Sequence, residues 1–283
     1  MSQRRALVTG GTAGVGLSVV RALAHRGVEV HFVGTSDEKG RRVEQELNGT
    51  GAAAVRFIKL DLSTLRDVRD FAEAFRSEVP QLDLLANVAG VTLPERQETD
   101  EGIEKTFAIG HLSAFVLNRE LAPMLEQAAH PRIMNVGGVP QFILKPRPDF
   151  ETKLDFRENY NGMQVAIDTV HAKTVLSQVF ADEFAGRGID VNVFHPGWVK
   201  SDMARHMSFP MSAVFKVGNM FMSDTTKTGI YLATSSDVNG VTGQFFARKK
   251  PRPLGFEQGY GRRLWDATEA LLDRALTSPR TPN

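Results

Sequence analysis

Six short, almost wholly apolar runs punctuate the chain: "RALVTG", "VEVHFVG", "AAAVRFIKL", "LDLLANVAG", "RIMNVGG" and "IDVNVFHPG". Each has strand length, and their near-continuous apolar character reads as that of parallel strands covered on both faces. Between them lie stretches with apolar residues at helical spacing, among them Val15 to Arg26, Asp100 to Glu126 and Met163 to Phe184. Strand and helix in alternation predict an α/β protein: one domain built on a doubly wound parallel sheet of about seven strands, with ligands outside the strands' carboxyl ends.

The sequence holds no cysteine, which excludes disulfides, thiolate nucleophiles and cysteine metal sites. No metal is expected. A formal net charge of +1 gives no drive toward nucleic acid, and the run "RKKPRP" from Arg248 reads as a solvated surface loop. No apolar run has the length to span a bilayer, and "MSQRR" leads directly into the first strand without room for a signal peptide. The expectation is a soluble, cytoplasmic protein with a flexible tail from Thr277 to Asn283.

After the first strand comes "TGGTAGVG", with Gly10, Gly14 and Gly16 opening a helix. Glycines here permit a tight turn and a close backbone approach to a pyrophosphate, whose charge the N–H groups and dipole of the helix N-terminus would hold. This stretch resembles the Thr-Gly-x-x-x-Gly-x-Gly motif of the short-chain dehydrogenase/reductase family. Over about residues 4 to 250, "LDLS", "NVAG" and "HPGWVKSD" follow in that family's order, and "HPGW" with "GQFF" is similar to its retinol-dehydrogenase-like members. The resemblance implies a Rossmann-type fold and a nicotinamide dinucleotide. It places Gly10, Thr12, Gly14, Val15 and Gly16 on the phosphates, and Asp61 with Leu62 near adenine. Asn87, Ala89 and Gly90 are implied as cofactor contacts, and Pro196, Gly197, Val199 and Ser201 lie by the nicotinamide. At the end of the second strand stand Thr35 and Ser36, with no acid immediately there to favour NAD(H). Lys39, Arg41 and Arg42 follow, opposed by Asp37 and Glu38, and the expected preference is NADP(H) over NAD(H).

The family resemblance also implies a catalytic Asn, Ser, Tyr and Lys, and here only the lysine is kept. Its Tyr-x-x-x-Lys falls on Thr169 and Lys173 in "DTVHAK", Gly138 of "NVGG" stands at the serine, and Gly110 of "GHLSAF" stands at the asparagine. No other register rescues the motif: the residues four places after Tyr160, Tyr231 and Tyr260 are Gln164, Ser235 and Leu264. A threonine hydroxyl is a far weaker acid than a phenol and reaches less far. Lys173 is therefore expected to bind the nicotinamide ribose and to lose its proton-relay role. Asp168 and His171 project roughly 100° and 200° away from Thr169 around the helix. Tyr160, in the loop "ENYNGM", is the candidate reaching a substrate from above. His111 and His195 read as structural.

From Ser201 to Ser223, five methionines and three phenylalanines supply an adaptable apolar surface, expected to be a helical lid over a hydrophobic small molecule. "RRLWDATEALLDRAL" reads as a packing helix and a candidate contact in a homo-oligomer. Three functions compete. The first is an atypical oxidoreductase acting on an imine, iminium or conjugated substrate, for which loss of the tyrosine is tolerable. The second is a non-redox isomerase or cyclase on the same scaffold, and the third a cofactor-binding pseudoenzyme.

Overall fold

The computed structural model describes residues 3–197, 199, 223 and 225–277. Nearly all of the expected lid, including Ser201, and all of the tail beyond Thr277 lie outside the described residues. Eight strands form one sheet in the order β3-β2-β1-β4-β5-β6-β7-β8. They are β1 (Arg5–Thr9), β2 (Glu29–Gly34), β3 (Val55–Lys59), β4 (Leu84–Asn87), β5 (Arg132–Val136), β6 (Asp190–Phe194), β7 (Gln244–Ala247) and β8 (Lys250–Pro253). All pair in parallel except β8, which runs antiparallel to β7. The strand order reverses between β1 and β4, and such a switch opens a crevice at the carboxyl ends.

Both faces of the sheet are covered, so even the alternating strand β6, with Asp190 and Asn192, is buried throughout. Successive residues enter different cores: Leu7, Leu85 and Val193 join one, while Ala6, Val8, Ala86 and Phe194 join the other. Helices α1 (Gly14–Ala24) and α2 (Asp37–Asn48) contribute to the second core, and α3 (Leu65–Glu78) to the first. The expected helix from Asp100 to Glu126 is broken into pieces. Gly102, at φ 74°, turns the chain before α4 (Lys105–Phe107) begins under the cap of Glu104, whose Oε2 accepts the Phe107 N–H at 2.7 Å. A π-helical turn over Ala108–Leu112 follows, then α5 (Ser113–Glu120) and α6 (Ala122–Leu125). After β5 come α7 (Pro140–Ile143) and the long α8 (Gly162–Glu183), capped by Asn161. Helices α9 (Lys227–Thr234) and α10 (Gln258–Thr277) complete the chain.

The run "KPRP" corrects the expected loop, for it is the exposed edge strand β8. Its two prolines are tolerated because an edge strand has one row of N–H groups without a ladder partner. Helix α10 lays its apolar stripe on its own chain. Trp265 packs 4.8 Å from the Phe115 ring and 4.9 Å from Phe180, and the Tyr260 hydroxyl donates to His171 Nε2 at 2.7 Å. The latter bond secures α8, which carries Thr169 and Lys173.

Candidate active site

A cavity of about 410 Å³ opens at the switch point and runs from the glycine turn to α8. At one end lie Gly10, Thr12, Gly14, Val15 and Gly16. Their side-chain poverty is enforced by contact: a methyl on Gly16 would stand 2.2 Å from the Gly10 carbonyl oxygen, and Gly10 itself holds φ 67° against Ala89. Ala13 precedes α1 and provides no side-chain cap, and the first turn of α1 carries no acid. An uncapped helix N-terminus facing a cavity fits a phosphate group. The residues present therefore fit a dinucleotide.

The end of β2 contributes Thr35, Ser36 and Lys39 to the same cavity. Ser36 caps α2, its Oγ accepting the Lys39 N–H. Arg41 pairs with Asp37 and Arg42 with Glu38 along the exposed face, so neither arginine turns its charge inward. Lys39 is the cation that lines this end. Leu62, Ala89, Gly90 and Pro196 line the cavity as expected, whereas Asp61, Asn87, Gly197 and Val199 do not. Asp61 is exposed and closes its own turn, accepting the Ser63 N–H at 2.9 Å. Asn87 lies beneath the floor, donating to Asn118 Oδ1 at 2.8 Å and Asn135 Oδ1 at 2.9 Å. Asn135 in turn donates to Ser177, whose hydroxyl donates to the Lys173 carbonyl, so the amide cluster holds the turn of α8 that bears the lysine.

At the far end stand Lys173, Thr169 and Gly110. Lys173 is 4% exposed, and no described residue gives its Nζ a hydrogen bond or ion pair. Burial alone pulls its amine down to about 7 from 10.5. Thr169 spends its hydroxyl on its own helix, donating to the Val165 carbonyl at 2.8 Å. Its methyl fills the space beside Gly110, where an added carbon would come within 2.5 Å of it. Gly138 stands behind, where an added carbon would meet Ile143 at 3.4 Å and Val170 at 3.6 Å, ordinary contact distances.

The side chains considered as replacement acids are engaged elsewhere. Asp168 pairs with Arg147 and accepts from Gln164. His171 is fully buried, donates from Nδ1 to the Ile143 carbonyl and is held neutral, its pKa lowered to about 4 chiefly by burial. His111, buried beside Thr268, is pulled to about 3 for the same reason. Tyr160 does not reach the cavity, against expectation. Its hydroxyl faces the Leu93 carbonyl at 3.2 Å and Glu104 Oε1 at 3.1 Å, and burial with the nearby carboxylate pushes its pKa up to about 12. Phe156 and Asn159, at φ 50° and 49°, turn the preceding loop away from an extended approach.

Among the lining residues that escaped the sequence reading are two threonines, Thr92 and Thr106. The signal for the second was present: Thr106 lies four places before Gly110, a spacing that shares a helical face.

This crevice, with a glycine turn at one end and a buried lysine at the other, is of a kind that fits a dinucleotide in a doubly wound α/β fold. The family model for short chain dehydrogenase matches residues 4–143. The chain is 30% identical over 293 residues to retinol dehydrogenase 14 of Mus musculus, covering 96% of this chain and 86% of the relative. It is 29% identical over 273 residues to retinol dehydrogenase 12 of Bos taurus, covering 94% and 85%. Among solved structures, the Pseudomonas aeruginosa RhlG/NADP active-site complex shares the fold with a TM-score of 0.63 at 23% identity, over 87% of this chain and 94% of that one. A protein from Mycobacterium paratuberculosis matches with a TM-score of 0.71 at 23% identity, over 96% and 94%. The protein belongs to the short-chain dehydrogenase/reductase family.

Among the described residues no helix is long and apolar enough to cross a membrane.

Proposed function

We propose that the protein is an NADP(H)-linked oxidoreductase acting on an apolar small molecule whose reacting group does not require a phenol, namely an iminium or a conjugated carbonyl. One observation carries this reading. Lys39 and Lys173 are the only ionisable side chains among the described residues lining the cavity, one at each end. When bound, the dinucleotide supplies or accepts a hydride. The N-terminus of α1 would hold its pyrophosphate, Thr35, Ser36 and Lys39 its adenosine phosphate, and Lys173 Nζ its ribose. Around the reacting end, Ile109, Val170 and the methyl of Thr169 exclude water without offering an acid. Hydride addition to a neutral carbonyl carbon leaves an alkoxide that needs a nearby proton donor, whereas an iminium is already charged and a conjugated acceptor spreads its charge. The curated relatives are named for retinol, an apolar polyene alcohol, which supports an apolar ligand.

The test mixes the full chain with NADPH and panels of cyclic imines, enones and simple ketones, following nicotinamide absorbance beside binding calorimetry. Consumption with imines or enones and little with simple ketones is the expected result. Binding of NADPH with no consumption across the panels would refute the redox reading and favour a non-redox isomerase or cyclase. That second reading draws on the room for a side chain at Gly138, where an added carbon meets only ordinary contacts, and a product of unchanged oxidation level would establish it.

A further inference from the structure

Buried hydroxyls in this fold are nearly all satisfied. Ser113, Thr169, Thr174 and Ser177 each donate to the carbonyl four residues earlier at 2.7–2.8 Å. Two buried hydroxyls among the described residues have no partner, Thr92 Oγ1 and Thr106 Oγ1, and both residues line the cavity. They are 3% and 1% exposed. A buried hydroxyl left without a hydrogen bond destabilises the fold, and two of them in one cavity call for a ligand.

The two threonines come from segments that the Tyr160 phenol ties together. One of its contacts is the carbonyl of Leu93, next to Thr92, and the other is Glu104, two residues before Thr106. Thr106 lies near enough to this phenol to influence its acidity, yet makes no hydrogen bond of full geometry with it. Both oxygens are covered. One step of χ1, which exchanges hydroxyl for methyl, turns a threonine oxygen to the cavity.

We propose that Thr92 and Thr106 form a two-hydroxyl seat for an uncharged carbonyl or alcohol oxygen of the substrate, on the β4–α4 side of the cavity. This rests on the oxidoreductase reading above and adds the substrate class and its orientation. The β5–α8 side presents Gly137, Val170 and a Thr169 hydroxyl already committed to Val165, and its one other described donor, Lys173 Nζ, is given to the ribose in the reading above. A ligand carboxylate is disfavoured, because the buried Glu104 stands two residues from Thr106 and neither threonine carries charge. Two donors on a carbonyl oxygen withdraw electron density and make a conjugated double bond more electrophilic.

Thr92→Val and Thr106→Val keep the shape and delete the hydroxyl. The probe is (E)-4-phenylbut-3-en-2-one, with its hydrocarbon counterpart (E)-1-phenylbut-1-ene. Binding is read by ligand-observed NMR with and without NADP+, which permits no reduction of the enone. Each variant is expected to raise the thermal midpoint of the ligand-free protein and to weaken enone binding by about fivefold, the equivalent of one neutral hydrogen bond, leaving hydrocarbon binding and NADP+ calorimetry unchanged. A lowered midpoint in both variants, or enone affinity no more affected than hydrocarbon affinity, would overturn the seat. Absence of NADP+ heat would instead refute the cofactor reading, while threonine-dependent enone binding without dinucleotide would still uphold the seat.

Discussion

Gly110 and Thr169 are coupled by contact, and the coupling can be measured. A methyl built on Gly110 lies 2.5 Å from Thr169 Cγ2, and the next nearest atom is Thr169 Cβ at 3.8 Å. Thr169 cannot rotate away without giving up its 2.8 Å bond to Val165, a loss of about 1 kcal/mol. If it stays, the site is overpacked, at a cost of about 1–3 kcal/mol. Against this, alanine in a helical turn is favoured over glycine by about 0.5–1 kcal/mol. Gly110→Ala should therefore destabilise the protein by about 0.5–2 kcal/mol. Thr169→Ser removes the offending methyl and keeps the hydroxyl, and in that background the same substitution meets only the Cβ at position 169, at an ordinary contact distance of 3.8 Å. It should then stabilise by about 0.5–1 kcal/mol, so the sign reverses and the coupling energy is about 1–3 kcal/mol. Urea unfolding of the four proteins in the cycle gives the number. A coupling under about 0.5 kcal/mol, or Gly110→Ala stabilising the parent chain, would refute the steric account.

Lys173→Met should stabilise the ligand-free protein while weakening dinucleotide binding. The lysine's folded pKa of about 7 lies below the ordinary 10.5, so the unfolded chain binds more protons between those values and stability from this group rises with pH across that window. Thermal melts should thus show the advantage of the methionine variant largest at pH 7 and below, shrinking toward pH 10.5. Lys39→Ala should weaken NADPH binding by about tenfold or more through loss of a charge-assisted contact, with NADH binding little changed, as read by calorimetry. Tyr160→Phe should cost about 1–2 kcal/mol in urea unfolding by stripping the buried Glu104 of a donor. Dinucleotide affinity should not move in that variant, because Tyr160 does not line the cavity.

What the sequence displayed well was whatever depends on burial of a whole run. The six apolar stretches are strands because helices cover both faces, and glycines at 10, 14 and 16 announced a turn whose crowding leaves no room for side chains. Hidden were features decided by partners distant in the chain. "KPRP" has no apolar period, and becomes a strand through its register with β7, where Arg252 pairs with Phe245 and Pro251 with Phe246. The periodicity from Asp100 to Glu126 is real, yet a window of residues cannot reveal that a π-helical turn shifts its phase at Gly110. Nor could Asn87 be separated from the cofactor turn it follows, since its burial depends on Asn118 and Asn135 from other elements. Thr92 and Thr106 look unremarkable in sequence because an unmade hydrogen bond is a property of the fold.

The balance of costs around the cavity bears on whether it works or has decayed. Among the described residues, a buried amine without a counterion and two buried hydroxyls without partners all lower folding stability, and each could be relieved by an apolar side chain of similar shape. A cavity released from any ligand has no force retaining such groups together, and stability alone favours methionine at 173 and valine at 92 and 106. The residues at Gly110 and Thr169 are of the opposite kind, mutually fitted and satisfied, with methyl against bare Cα and hydroxyl against carbonyl. Strain absent from one wall and present on the other agrees with the proposed threonine seat on the side of β4 and α4. On this argument the three-substitution variant Lys173→Met, Thr92→Val, Thr106→Val should melt above the parent chain and bind neither dinucleotide nor enone, and a triple variant that melts lower would remove the ground for calling the cavity functional.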